Sequence, residues 1–227
     1  MTSTQPIKPL ILLGAGGHAK VLLSLVQSLK LPVLGVCAPE LFHNGIKQWR
    51  GLDVLSNGDE LKGYSPDEVD LINGVGQRVD NDNRRRVFER FTAQGYYFPS
   101  LVHPHACVDS SAVLEEGVQV MAGAIIQVDA HIGKNVIINT QASVDHDCII
   151  DENVHIAPGA VLCGTVTVSK GSFIATGVRV GPGVKIGESA VIGAGASIVR
   201  DVKTKSLVLP AAVRYIGSTS DTYVGEK

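Results

Sequence analysis

The chain has 227 residues, of which 44% are hydrophobic, and a formal net charge of −2. That length and apolar content suit one large domain or two small ones, and the near-neutral balance with no long basic run leaves no electrostatic footprint for nucleic acid. No apolar run approaches the roughly 18 residues that a bilayer span needs, so no membrane association is expected. Four cysteines, Cys37, Cys107, Cys148 and Cys163, show no C-x-x-C spacing and read as reduced thiols of a cytoplasmic protein.

The first hundred residues alternate between strand and helix signals. Pro9–Leu13 reads as a buried parallel strand that runs into Gly14-Ala15-Gly16-Gly17-His18-Ala19-Lys20 and then a helix over Val21–Leu29. That glycine turn with His18 and Lys20 makes the opening apolar run a poor signal peptide. A second strand is predicted at Val33–Val36, an apolar segment at Val69–Gly76 ends in glycines, and Asn81–Gln94 reads as a helix with Asn81 and Asp82 as caps. The triple Arg84-Arg85-Arg86 falls within that helix and reads as a solvated face. The alternation implies a small parallel sheet. Gly14-x-Gly16-x-x-Ala19 matches the phosphate-binding turn of a Rossmann unit, though a tight strand-to-helix turn with no ligand weighs about equally for an isolated match. A full dinucleotide fold is not expected. The region is about half that size, and the second strand leads into Cys37-Ala38-Pro39-Glu40 rather than directly into a ribose-binding acid. A mononucleotide diphosphate fits better.

From Leu101 the sequence divides into blocks of six without a gap: LVHPHA, CVDSSA, VLEEGV, QVMAGA, IIQVDA and so on to SIVRDV, seventeen hexads ending at Val202. The second position is always Val, Ile or Leu, and the sixth is always Ala, Val, Cys or Ser. Neither a strand period of two nor a helical period of 3.6 generates this pattern. It predicts a left-handed parallel β-helix in which each hexad is one short strand and a corner. Three hexads close a coil, so residues eighteen apart stack at about 4.8 Å. The expected organisation is therefore an α/β Rossmann-like domain over residues 1–100, an all-β left-handed β-helix over 101–207, and a tail over 208–227.

Within the hexads, His131, Asn139, Asp145, His146, Asp147 and His155 lie inside 25 residues. Acyl transfer to an amine needs a base to accept a proton as nitrogen attacks. His146, between Asp145 and Asp147, is the candidate, because a neighbouring carboxylate orients an imidazole and favours its protonated form. A zinc site of the carbonic-anhydrase kind needs three converging histidines. His131, His146 and His155 are fifteen and nine residues apart rather than eighteen, so none stacks on another, and no metal is expected.

The N-terminal ILLGAGGHAKV, the unbroken hexads, and Ile138-Asn139-Thr140 through Val144-Asp145-His146-Asp147-Cys148 together resemble one group of bacterial sugar acyltransferases over residues 8 to 212. This group N-acetylates nucleotide-linked 4-amino-4,6-dideoxyhexoses, as in the bacillosamine pathway, and it also holds sialic acid O-acetyltransferases. The resemblance implies an acetyl-CoA-dependent sugar N-acetyltransferase working as a homotrimer, each active site lying between two prisms; sugar O-acetylation is the alternative. By position it implies that His146 is the general base, that Asp147 polarises it, and that Asn139 sits beside them. His155 is implied near the thioester of acetyl-CoA, and Gly164 as a backbone contact for the pantetheine arm. Gly14, Gly16, Gly17 and His18 are implied to line the nucleotide pocket, with Gly74 and Gly76 at its other wall. Two places depart from the group. Cys37-Ala38-Pro39-Glu40 stands where acids often follow the second strand, and Val208-Leu209-Pro210-Ala211-Ala212, with Arg214 displaced, replaces the usual G-x-P-A-[KR]. The tail after Gly217 reads as loose polar sequence.

Overall fold

The computed structural model describes residues 8–56, 61 and 63–211. Ala212, Arg214 and the tail after Gly217 lie outside the described residues. In the N-terminal part, β1 (Leu10–Leu13), β2 (Val33–Cys37), β4 (Leu52–Ser56) and β5 (Asp70–Asn73) form a parallel sheet. A two-residue strand, β3 (Gln48–Trp49), adds antiparallel to its edge, giving the order β3-β4-β2-β1-β5. The sequence reading missed the β3–β4 hairpin and the short helix α2 (Pro39–His43). The hairpin carries only seven strand residues and no strong alternation, so periodicity gives it no signal.

Helix α1 runs from Gly17 to Ser28, one turn earlier than expected. Gly16 is its extended N-cap, and Lys20 N already donates to Gly16 O at 3.2 Å, so the glycines form the helix entrance rather than a separate loop. Helix α3 spans Asn83–Ala93. Asp82 occupies the cap position without capping, because its carboxylate pairs with Arg85 and Arg86 at 2.7 Å each. Asn81 Oδ1 instead accepts from Asn83 N.

The seventeen hexads become seventeen two-residue strands, β6 (Leu101–Val102) to β22 (Ser197–Ile198), each paired in parallel with the strand eighteen residues away. They build three faces. The first holds β6, β9, β12, β15, β18 and β21, closed by β23 (Leu207–Val208); the second runs from β7 to β22, and the third from β8 to β20. The second hexad position points inward, so Ile126, Val144, Leu162 and Val180 stack as one buried column. Small sixth-position residues such as Ala124, Ala142 and Ala160 fill the bends. The fifth position takes left-handed φ at nearly every corner, as at Asn135, Asp147, Asn153 and Thr165, which suits the many Gly, Asn and Asp residues found there. After β22 the repeat shortens by two residues. Val202, expected at a sixth position, instead bridges Ile186, and Leu207 pairs with Val191.

The N-terminal domain covers part of the first face. Leu101 and Met121 join the core of Leu10, Leu22 and Val26, and the outward positions Gln119, Ile137 and His155 are buried as a result.

Candidate active site

At the C-terminal ends of β1 and β5 a cleft of about 840 Å³ opens. Gly14, Gly16, Gly17, His18, Gly74 and Gly76 all line it, together with Glu40 and the arginines 78, 86 and 90. The glycines serve different purposes. Gly14 has φ +90°, a conformation that side chains rarely adopt. A Cβ at Gly74 would come within 2.7 Å of Leu12 Cδ1 and 2.8 Å of Leu13 O, so packing excludes it. A Cβ at Gly16 or Gly17 would meet nothing within 4 Å. Those two leave space outside the chain, at the start of α1, where unpaired N–H groups and the helix dipole favour an anion.

His18 enters a polar network between the two domains. Gln119 Nε2 donates to Asn73 O at 3.0 Å, which turns Gln119 Oε1 toward His18 Nε2, 2.7 Å away. Burial, with the nearby Arg84 charge, pulls the His18 pKa down to about 4. The neutral ring therefore donates through Nε2 and keeps Nδ1 as an acceptor. Arg84 corrects the expectation of a solvated arginine face. It is 2% exposed, and its guanidinium donates to the carbonyls of Asn73 (2.8 Å), Val75 (2.9 Å) and Asn135 (3.4 Å). Arg85 and Arg86 remain exposed. Arg84 differs because its position faces the seam between α3 and the solenoid, where backbone carbonyls need donors. Asn135 Nδ2 extends the network to Asn153 Oδ1 at 2.8 Å. Nothing in the sequence marked Gln119, Asn135 or Asn153, since polar residues at outward hexad positions and corners read as solvated.

His146 occupies the corner between the second and third faces, after β13 (Ser143–Val144). Its side chain is half exposed. Nδ1 lies 2.8 Å from Asp147 Oδ2, and its backbone N–H donates to Asp145 Oδ1 at 2.8 Å. The hydrogen bond to Asp147, with the charges of Asp145 and Asp147, raises the imidazole pKa. Asp147 reaches the ring because it holds the left-handed corner position, φ +56°. One coil on, Gly164 lies directly against the His146 ring.

Asn139 and His155 sit elsewhere on the same chain. His155 is the outward residue of β15 (His155–Ile156), on the first face; it is buried, 3.0 Å from Asn139 Nδ2, with its ring edge-on to Phe173 at 4.9 Å between centroids. Burial, with His18 and Arg84 nearby, pulls its pKa down to about 3. Thus one chain brings His146, Asp147 and Gly164 together at one corner, and Asn139 and His155 together on the covered side. It does not join the two groups. Among the described residues, no group of three His, Cys, Asp or Glu converges as a metal site would require.

Residues 9–91 match the PglD N-terminal domain family, and residues 129–164 match the bacterial transferase hexapeptide (six repeats) family. The acetyltransferase domain of PglB from Neisseria gonorrhoeae, solved in complex with acetyl coenzyme A, superposes with a TM-score of 0.80 at 33% identity, covering 90% of this chain and 97% of that one. The chain belongs to the PglD-type hexapeptide-repeat N-acetyltransferases. Perosamine N-acetyltransferase from Caulobacter crescentus, solved as a His-to-Asn variant with CoA and GDP-perosamine, is another member-like structure: TM-score 0.79, 31% identity, 95% of this chain and 100% of that one. The UDP-N-acetylbacillosamine N-acetyltransferase of Bacillus subtilis is 36% identical over 118 residues, 51% of this chain; the match spans about half of that relative, 52%. Among the described residues no helix of this PglD-type chain is long and apolar enough to cross a membrane.

Proposed function

We propose that the protein transfers the acetyl group of acetyl-CoA to the 4-amino group of a nucleotide-linked 4-amino-4,6-dideoxyhexose, with His146 as general base. The observation that carries this reading is the His146–Asp147 pair on an accessible corner, with Nδ1 held by the carboxylate, Nε2 in no hydrogen bond among the described residues, and the basicity raised by the carboxylate. The similarity to proteins described with acetyl coenzyme A, CoA and GDP-perosamine supports the two substrates.

In the proposed reaction the neutral amine nitrogen attacks the thioester carbonyl while His146 Nε2 accepts one of its protons. The tetrahedral intermediate collapses, the carbon–sulfur bond breaks, and CoA leaves as the thiol after the proton is handed on. The nucleotide diphosphate takes the cleft at the start of α1, where Gly16 and Gly17 leave the backbone N–H groups open. Because His146 and the Asn139–His155 pair lie on different sides of one solenoid, we place the complete site between two copies of the chain, His146 from one and His155 from the next, in a closed threefold ring. Exposed Val128, one coil before His146, and Ile149 and Val161 beside it supply apolar surface for that contact. The cytoplasm, where acetyl-CoA is made and thiols stay reduced, is the expected compartment.

The test is CoA-thiol release by the purified protein with acetyl-CoA and a panel of UDP-, dTDP- and GDP-linked sugars carrying either an amine or a hydroxyl at position 4. Turnover with an amino sugar, abolished by His146→Ala while acetyl-CoA still binds, is the expected result. Turnover confined to hydroxy sugars, or a His146→Ala rate equal to the parent's, overturns it.

A further inference from the structure

Gly164 stands eighteen residues after His146, in the same corner column one coil on. Its φ is not in the left-handed range, so its backbone conformation is open to any residue. What glycine supplies there is room. A Cβ at this position would lie 2.3 Å from His146 Nε2, 2.4 Å from Cε1 and 3.0 Å from Cδ2. Glycines 16, 17 and 177, by contrast, would place a Cβ in open space.

The imidazole is thus located by two contacts. Nδ1 is held at 2.8 Å by Asp147. The opposite edge of the ring, Nε2 and Cε1, rests against the bare Cα of Gly164. Thr165 reinforces the platform: its N–H donates to His146 O at 2.9 Å and its hydroxyl to Gly164 O at 2.7 Å. A methyl group on this platform cannot coexist with the ring where it stands, so the half-exposed imidazole must swing away and lose its hydrogen bond to Asp147.

We infer that Gly164 is a positioning residue, whose missing side chain sets the orientation of the His146 ring and keeps its Nε2 open to the attacking amine. The inference rests on His146 being the base. It differs from a backbone contact with the pantetheine arm, because it acts on His146 whether or not coenzyme is present.

The experiment compares Gly164→Ala, His146→Ala and the double variant in the intact protein. With Gly164→Ala we expect kcat to fall on the order of 10- to 100-fold while KM for acetyl-CoA stays within about twofold. In coenzyme-free protein the His146 imidazole, followed by NMR titration, is expected to lose its raised pKa. Any drop in Tm caused by Gly164→Ala is expected to vanish in the His146→Ala background, where no ring meets the methyl. An unchanged kcat overturns the inference. So does a lost rate accompanied by an unaltered His146 titration, which marks Gly164 as a coenzyme contact alone. If His146→Ala retains full activity, the base assignment fails instead, while the titration and the double variant still report whether the glycine sets the ring.

Discussion

The side-chain amide of Asn139 donates from Nδ2 to Nε2 of His155 across 3.0 Å, and its orientation is fixed independently, because Thr140 N–H donates to Asn139 Oδ1 at 2.8 Å. His155 must therefore carry its proton on Nδ1, a buried atom with no partner among the described residues. It is a hydrogen-bond donor, not a base. Asn139→Ala should cost about 1–3 kcal/mol, because it strands His155 Nε2 and the Thr140 amide together. A urea midpoint unmoved by the substitution contradicts the pairing.

His155 also gives the protein an acid-sensitive seam. Its pKa is about 3 in the folded protein, against an ordinary histidine value near 6.5 when unfolded. Between those values the unfolded chain binds more protons than the folded one. Stability is therefore full above pH 6.5 and falls as pH drops toward 3, by up to about 1.4 kcal/mol per pH unit. His18, at about 4, adds in the same direction over a narrower window. Urea unfolding at pH 7 and pH 5 measures this, and His155→Gln should flatten the dependence.

The pH profile of turnover rests on a pKa shift of the opposite sign, at His146. Its pKa is raised, first by the hydrogen bond to Asp147, and a base works only when unprotonated. Activity is lost as pH falls through that raised value. Asp147→Asn should move the acid limb of kcat/KM to lower pH and reduce kcat by roughly tenfold or more, because the weaker base is also less well oriented. A limb that stays in place assigns it to another group.

The cleft glycines separate into two experimental classes. Gly74→Ala forces a methyl into Leu12, Leu13 and Ala19 and should destabilise by about 1–3 kcal/mol. Gly17→Ala, at the first residue of α1, meets nothing and should leave Tm unchanged or slightly raised, while weakening nucleotide-sugar binding severalfold. Calorimetry of unfolding and of ligand binding distinguishes the two, and equal stability losses contradict the packing argument.

The solenoid was legible from the sequence because its core is a local repeat. One branched aliphatic every six residues dictates both the strand and the corner, as at Ile132, Ile138 and Val144, with no long-range information needed. The His146–Asp147 pair was legible for the same reason, since neighbours in sequence share one corner. Counting in eighteens likewise shows that His131, His146 and His155 do not stack on one another. What no count supplies is which face the N-terminal domain covers. That cover turns Gln119 and His155 from solvated outward residues into buried ones, and makes Arg84 a clamp on the carbonyls of Asn73, Val75 and Asn135 rather than a surface charge. A period specifies what each residue does within its own coil; burial by a second domain depends on the docking of two surfaces, and only the tertiary structure decides that.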